Sequence, residues 1–214
     1  MRLDHVSYVA SHDQISDVVN RIGSQIGTAF VDGGIHPKFG TRNFTAPLLN
    51  GQYIEVVCPL DHPATDTTPF GRAVKNKAQD GGGWLTWVFS TDDISGVEVK
   101  LHRKSVLGYR TRPDGTQLEW KQIGISRVIE SNELPFFIQW LTANHPSLDG
   151  RAAAKIKAIE IASQNKLANS FFESEIENAT SEIEIKWTNP KEVQLASGIL
   201  QVTFDVNNEE IVIE

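Results

Sequence analysis

An acidic residue within an apolar segment is the first candidate for chemistry. The segment YIEVVC at 53–58 places Glu55 among residues typical of a buried strand. A buried carboxylate is costly unless it is paired or hydrogen-bonded, so Glu55 either has a partner or accepts a proton from a substrate. We interpret Glu55 as a candidate general base. Its alternative role is structural, with His5, Asn43 or an arginine as the partner.

His5 is the second catalytic candidate. It lies in the first β-rich run, LDHVSYVA. An imidazole at this position could orient Glu55 or act as an acid. The alternative is a strand histidine that serves only the fold. The predicted catalytic pair is therefore His5 and Glu55.

Six further side chains could bind a substrate beside this pair. One lies in the glycine-rich segment GGIHPKFGT, and loop residues held by a scaffold often carry chemistry. Amides and hydroxyls could fix a substrate carbonyl, and indoles could form apolar walls. The candidates are His36, Thr41, Asn43, Trp84, Trp120 and Gln139. The alternatives are a turn histidine for His36, cross-strand hydrogen bonds for Thr41 and Asn43, and the core for Trp120.

Strand periodicity predicts how these groups meet. Alternate residues of a strand point to one face, so His5 shares a face with Ser7, and Glu55 shares one with Tyr53. The opposite faces are apolar and should lie under helices. We expect His5, Asn43 and Glu55 to face the concave side of a curved sheet, where converging polar groups form a binding site.

An internal repeat places the same elements twice. Aligning LDHVSYVASHDQI with GWLTWVFSTDDI puts His5 over Trp84, an offset of 79 residues (84 − 5 = 79). Aligning YIE at 53–55 with FIQ at 137–139, within GQYIEVVCPLDHP and LPFFIQWLTANHP, puts Glu55 over Gln139, an offset of 84 residues (139 − 55 = 84). Two offsets this close indicate one duplicated unit with a small insertion in the second copy.

Each copy has the pattern of a β-α-β-β-β module. A strand run is followed by an amphipathic helix pattern and three more strand runs. We predict modules at 1–78 and 79–148 and a partial third α/β unit at 149–214, with Ser163 capping the helix NKLANSFFESEI. The predicted fold class is α+β: tandem modules form curved mixed sheets with helices on the outer face.

Several segments together resemble a known family. LDHVSYVA, GGIHPKFGTRN, GQYIEVV, GWLTW and LPFFIQW followed by HP are similar to glyoxalase-like domain proteins of the vicinal oxygen chelate superfamily, which also includes bleomycin resistance proteins and dioxygenases. The resemblance covers roughly residues 1–150 and implies paired β-α-β-β-β modules. The resemblance indicates the fold more strongly than it indicates a particular reaction.

The resemblance also implies a possible divalent metal in the concave sheet. The matching ligand positions are His5, Glu55, Trp84 and Gln139. An indole nitrogen only donates hydrogen bonds, so Trp84 cannot be a ligand. An amide oxygen is a poor substitute for a carboxylate on a transition metal. His5 and Glu55 thus remain as the candidate metal ligands, with Gln139 at best a third.

Composition excludes several classes of function. The 214 residues include 40% hydrophobic and 22% charged residues, which is typical of a globular protein. The net charge of −7 and the scattered basic residues argue against nucleic acid as a partner. The single cysteine excludes an intramolecular disulfide. MRLDHVSYVA does not resemble a signal peptide, and no apolar run is long enough for a membrane span, so we expect a cytoplasmic protein without a membrane partner.

Two functions fit these observations, and a third concerns assembly. The first is an enzyme of lyase, isomerase or oxygenase type that acts on a small oxygenated or α-carbonyl metabolite in the concave cup. The second is a non-catalytic protein that binds a small molecule and has lost the metal site. A homodimer formed through exposed sheet edges is the third.

Overall fold

The computed structural model describes residues 1–126, 133–163, 172–193 and 197–214. The first module holds β1 Arg2–Val9, α1 Ile15–Ile26, β2 Val31–His36, β3 Thr41–Pro47 and β4 Tyr53–Pro59. Helices α2 Pro63–Thr67 and α3 Pro69–Gln79 connect it to the second module, which holds β5 Gly83–Ser90, α4 Ile94–Leu101, β6 Val106–Thr111, β7 Gln117–Ile123 and β8 Phe136–Trp140. The C-terminal unit holds β9 Ala154–Ala162, α5 Glu173–Ala179, β10 Glu184–Thr188, α6 Pro190–Val193, β11 Gly198–Val206 and β12 Glu209–Ile213.

The strands of the two modules close into one barrel with the order β1-β4-β3-β2-β6-β7-β8-β5. Within each module the first strand pairs in parallel with the last, as β1 does with β4 and β5 with β8. The modules join through antiparallel β1–β5 and β2–β6 contacts. The predicted fold class, with tandem modules and a third α/β unit, is confirmed.

The register between β1 and β5 shows how the two modules correspond. Asp4 in β1 and Leu85 in β5 are each skipped by the pairing, so each is a β-bulge. The bulges lie 81 residues apart (85 − 4 = 81), and the pairing on either side of them is symmetric. The counterpart of His5 is therefore Thr86 (5 + 81 = 86). The predicted match of His5 with Trp84 is wrong by two residues.

The same offset relates the last strands of the modules. Ser7 pairs with Glu55 between β1 and β4, and its counterpart Val88 pairs with Phe136 between β5 and β8. The counterpart of Glu55 is therefore Phe136 (55 + 81 = 136), and the predicted match with Gln139 is wrong by three residues. Both errors come from the sequence alignment, which matched similar letters at offsets of 79 and 84, whereas the strand pairing relates the two modules at a constant offset of 81.

Two hydrophobic clusters hold these layers together. One fills the barrel, where α3 packs Phe70 and Val74 with inward-facing residues such as Val57 and Val88. The sequence analysis did not predict this helix. The other cluster lies between the outer face of the barrel and the C-terminal sheet, and it also buries the apolar stripe of α1. The outer wall of β1 and β5 is thus covered by protein and not by solvent.

The C-terminal unit is an α/β unit with its own topology. Its strands have the order β10-β9-β11-β12, in which β9 pairs in parallel with β10. In the barrel modules the first strand pairs in parallel with the last strand. The first seven residues of the predicted helix NKLANSFFESEI (165–171) lie outside the described residues, and its final part overlaps α5. The division at residues 78 and 148 stays a prediction.

Closure of the barrel changes the argument for a homodimer. The barrel has no open edge, so the edges left in the two described sheets are β10 and β12 of the C-terminal sheet. The homodimer itself stays a prediction. No described helix has the length and apolar character needed to cross a membrane.

Candidate functional site

A cavity lies inside the barrel, between strands of both modules. It encloses about 420 Å³ of space, part of which is open to solvent. Its walls combine ionisable, amide and aromatic side chains. The lining residues are His5, His36, Phe39, Asn43, Tyr53, Glu55, Phe70, Arg110, Trp120, Gln122, Ile125, Phe136, Ile138 and Trp140. Concave sites of this composition are the usual places for small-molecule ligands.

Glu55 is the acidic residue of the cavity wall and is only 6% exposed. Its Oε2 accepts a hydrogen bond from Ser7 Oγ at 2.6 Å, and its Oε1 accepts one from Asn43 Nδ2 at 2.8 Å. Burial alone raises the pKa of Glu55, but the imidazoles of His5 and His36 and the two hydrogen bonds outweigh it. The pKa of Glu55 is therefore below its ordinary value, and the side chain is an ionised carboxylate at neutral pH.

Arg110 brings a positive charge into the same cavity. It lies on β6, is 1% exposed, and donates from one terminal nitrogen to Asn43 Oδ1 at 2.5 Å. Asn43 thus bridges Arg110 and Glu55. Gly33 makes room for the bridge, since a Cβ there would lie 2.0 Å from the Arg110 guanidinium and 2.1 Å from Asn43 Oδ1. Burial lowers the pKa of Arg110, but a guanidinium stays protonated at physiological pH.

His5 lines the cavity and is held from behind by Asp4. His5 Nδ1 lies 2.8 Å from Asp4 Oδ1, which leaves Nε2 as the other ring nitrogen. Asp4 is fully buried and its second oxygen accepts from Trp140 Nε1 and contacts His145 Nε2. Burial raises the pKa of Asp4, but hydrogen bonds from His145 and His5 bring it well below its usual range. The ring of Tyr53 stacks on the imidazole of His5, with 4.4 Å between the ring centroids.

His36 is a neutral polar group of the cavity wall. Burial lowers the pKa of His36 to about 4, and the Arg110 charge contributes to this shift, although Glu55 opposes it. His36 Nδ1 lies 3.0 Å from Thr41 Oγ1. Thr41 is buried behind His36 and does not line the cavity itself. Its role is contact with His36, in line with the hydrogen-bonding alternative raised by the sequence.

Trp120 and Trp140 form an aromatic wall on the second module. Their ring centroids lie 5.6 Å apart, and Trp120 Nε1 donates to Gln122 Oε1 at 2.7 Å. Gly108 lets the indole lie flat against β6, because a Cβ there would be 2.5 Å from the Trp120 ring. Asp4, Tyr53, Arg110, Gln122 and Trp140 were not among the predicted site residues. The signal for Arg110 was present in LGYRT, where strand alternation puts it on the face of Gly108.

The predicted position of Trp84 on the concave face is wrong. Its indole is 2% exposed and packs on the outer face, against Tyr8 at 5.1 Å and Phe204 at 6.4 Å between ring centroids. Trp84 Nε1 donates to the carbonyl oxygen of Ile213 at 2.8 Å. The bulge at Leu85 puts Trp84 outward, which strict alternation cannot foresee.

The predicted position of Gln139 in the cavity is also wrong. Its neighbours Ile138 and Trp140 line the cavity, so Gln139 points to the other face of β8. There its Nε2 donates to the carbonyl oxygen of Asp92 at 2.8 Å. The structure therefore brings together His5, His36, Asn43, Glu55 and Trp120 and leaves out Thr41, Trp84 and Gln139.

The donor set of the cavity does not fit a divalent cation. The positions corresponding to His5 and Glu55 in the second module hold Thr86 and Phe136, and a phenyl ring cannot be a ligand. Both oxygens of Glu55 accept hydrogen bonds, and the Arg110 cation lies across Asn43 from them. No group of three His, Cys, Asp or Glu residues in the described part of the chain is placed to hold a metal ion. The predicted pair of His5 and Glu55 would supply two ligands, fewer than a stable site needs.

Both the sequence and the fold of this chain are similar to those of known proteins. The family model described as "Glyoxalase-like domain" matches residues 3–172. A comparison with curated proteins gives no match. A hypothetical protein from Staphylococcus aureus has a similar solved structure, with a TM-score of 0.58 and 18% identity over 99% of this chain and 84% of that one.

Two further solved structures are similar over 64% of this chain. A methylmalonyl-CoA epimerase from Mycobacterium tuberculosis gives a TM-score of 0.43 and 14% identity, over 64% of this chain and 87% of that one. A hypothetical protein from Bacillus halodurans gives 0.39 and 17%, over 64% and 93%. At these identities the likeness to the Staphylococcus aureus protein concerns the fold alone, and the two lower scores carry no argument about function.

Proposed function

Because the chain belongs to the glyoxalase-like domain family, we propose that it is an enzyme of the vicinal oxygen chelate type that acts on a small α-carbonyl compound. The observation that carries the proposal is the buried bridge Glu55–Asn43–Arg110 in the barrel cavity. It holds a carboxylate and a guanidinium side by side without direct contact. Such a pair supplies a proton acceptor and a stabiliser of negative charge in one water-poor site.

The proposed reaction is proton transfer at the carbon next to a carbonyl. Glu55 takes the proton, the C–H electron pair moves to the carbonyl oxygen, and an enolate forms. Arg110 stabilises the developing charge. His5 Nδ1–H donates to the Asp4 carboxylate, so His5 in its imidazolium form donates a hydrogen bond or a proton from Nε2 to the enolate oxygen. The proton returns to the same carbon or to its neighbour, so no external reactant is needed. Exchange, epimerisation or isomerisation follows from where it returns.

Proton exchange with solvent tests this proposal directly. The purified protein in D₂O should incorporate deuterium next to the carbonyl of a small 2-oxo compound, followed by proton NMR. Glu55→Gln should slow incorporation by about 100-fold or more, since a positioned base contributes about 10²–10⁴-fold. Glu119→Gln on β7 is the matched control, because Glu119 is only partly buried and does not line the cavity. Equal rates for Glu55→Gln and the native chain would refute the role of Glu55.

A binding protein is the second candidate, and one observation favours it. Thr86 and Phe136 are the second-module counterparts of His5 and Glu55 in the strand pairing, and neither is a good metal ligand. A barrel that has lost these ligands could still hold a small molecule between Trp120 and Phe136. Ligand binding without deuterium incorporation above the solvent rate would support this candidate against the enzyme.

A further inference from the structure

Arg110 has more hydrogen-bond donors than the protein satisfies. A guanidinium carries five N–H donors, and in the described part of the chain Arg110 makes one hydrogen bond, to Asn43 Oδ1. The residue is 1% exposed, so bulk water does not solvate it. The described ion pairs include no partner for Arg110, whereas Arg112 on the same strand pairs with Asp149. A buried cation in this state needs an anion or strong acceptors.

Glu55 does not fill that role. Each of its two oxygens accepts one hydrogen bond, from Ser7 and from the amide of Asn43, and Asn43 separates the carboxylate from the guanidinium. The opposite charge nearby lowers the cost of burying Arg110 without occupying its donors. Arg110 lines the cavity, so its remaining edge is available to a ligand there.

The cavity also sets the size and shape of that ligand. Phe136, Ile138 and Trp120 give an apolar wall, which strengthens an ionic contact because it excludes water. The narrow free space suits a flat molecule of a few heavy atoms. A carboxylate matches the planar fork of a guanidinium with two parallel hydrogen bonds. Tyr53, which lines the same cavity, can donate its hydroxyl to a neighbouring carbonyl oxygen.

From this geometry we propose that Arg110 forms a carboxylate subsite, and that the substrate is a small 2-oxo monocarboxylic acid. The carboxylate pairs with Arg110, whose charge from there also offsets the negative charge of the enolate, and the adjacent carbonyl is directed toward Tyr53 and His5. The inference rests on the proposed function for the statement that the bound acid reacts. The binding subsite itself stands on Arg110 alone.

Calorimetric titration with a matched pair of probes tests the subsite. The probes are 2-oxobutyrate and its uncharged methyl ester, and the variants are Arg110→Gln, Arg110→Lys and the exposed control Arg103→Gln. The native protein should bind the acid at least tenfold more tightly than the ester. Arg110→Gln should lose about 10- to 100-fold in affinity for the acid and little for the ester, since a charge-assisted pair is worth about this factor. Arg110→Lys should fall between, because a point charge replaces the fork.

Three results would overturn the subsite. They are equal binding of acid and ester by the native protein, undiminished acid binding by Arg110→Gln, and no acid binding at millimolar concentration. If Arg110→Gln does not fold by circular dichroism, the comparison of acid with ester in the native protein decides alone.

The same probes separate the subsite from the catalytic proposal. Tight binding of 2-oxobutyrate without deuterium exchange would sustain the subsite and refute catalysis. Exchange that depends on Glu55 but proceeds equally with the ester would sustain catalysis and refute the subsite.

Discussion

The two modules of the barrel present different chemistry at corresponding positions. The pairs are His5 with Thr86, Glu55 with Phe136, and, across the next strand, Asn43 with Gln122. The first module contributes the imidazoles, the acid and the amide bridge. The second contributes the aromatic wall and, from β6, the single cation of the cavity. The symmetric backbone therefore carries an asymmetric site, with a reactive half facing a half that binds and shields.

The largest expected effect distinguishes the inner from the outer tryptophans. Trp84→Ala should lower the free energy of unfolding by about 4 kcal/mol, because it removes a fully packed indole and its hydrogen bond to Ile213. It should leave the affinity for 2-oxobutyrate unchanged. Trp120→Ala should weaken ligand binding with a smaller loss of stability. Urea unfolding and calorimetry measure both, and the reverse pattern would contradict the placement of Trp84.

The next prediction compares the loss of stability on replacing two corresponding amides, Asn43 and Gln122. Asn43→Leu should cost about 3 kcal/mol of stability, because it removes hydrogen bonds to a buried carboxylate and a buried guanidinium. Gln122→Leu should cost about 1 kcal/mol, because it removes one hydrogen bond between neutral groups. Equal losses in urea unfolding would show that the Asn43 bridge has no special energetic role.

The smallest effect concerns pH and belongs to the first module. The pKa of His36 falls from 6.5 to about 4 on folding, so the unfolded chain binds a proton first as pH decreases. Its contribution is fully present above pH 6.5 and is lost as pH falls toward 4. His36 alone should remove about 2 kcal/mol of stability between pH 7 and pH 5.

His36→Gln should flatten this part of the profile, whereas the exposed control His12→Gln should not. Glu55, whose pKa is lowered by folding, acts further down: its contribution is present above its ordinary pKa and is lost as pH falls through the lowered one. An unchanged slope between pH 7 and pH 5 in His36→Gln would contradict the burial of a neutral imidazole.

The sequence predicted the parts of this architecture that depend on local pattern. Alternation in β1, β3 and β4 is enough to put His5, Asn43 and Glu55 on one face, because the bulge of β1 at Asp4 comes before His5 and the alternation is regular from His5 onward. One of the partners proposed for Glu55, Asn43, is among those the structure shows. The duplication of the modules could also be recognised from the internal sequence repeat.

What the sequence could not predict depends on long-range register. A bulge shifts the face of every residue beyond it, so Trp84 was assigned inward although it lies outward. Arg110 meets Asn43 across 67 residues of chain, and neither segment alone signals the contact. Asp4 seemed to face away from His5 under strict alternation, yet the bulge turns its carboxylate onto the imidazole.

The hydrogen bond between Trp84 and Ile213 has a consequence for the order of folding. It joins residues 129 positions apart, and contacts of such separation form slowly because a long loop must close first. Until β11 and β12 dock, the outward aromatic rings of β1 and β5 have no cover. A partly folded chain would therefore expose apolar surface and tend to aggregate. The rate at which β11 and β12 dock would determine how long that tendency lasts.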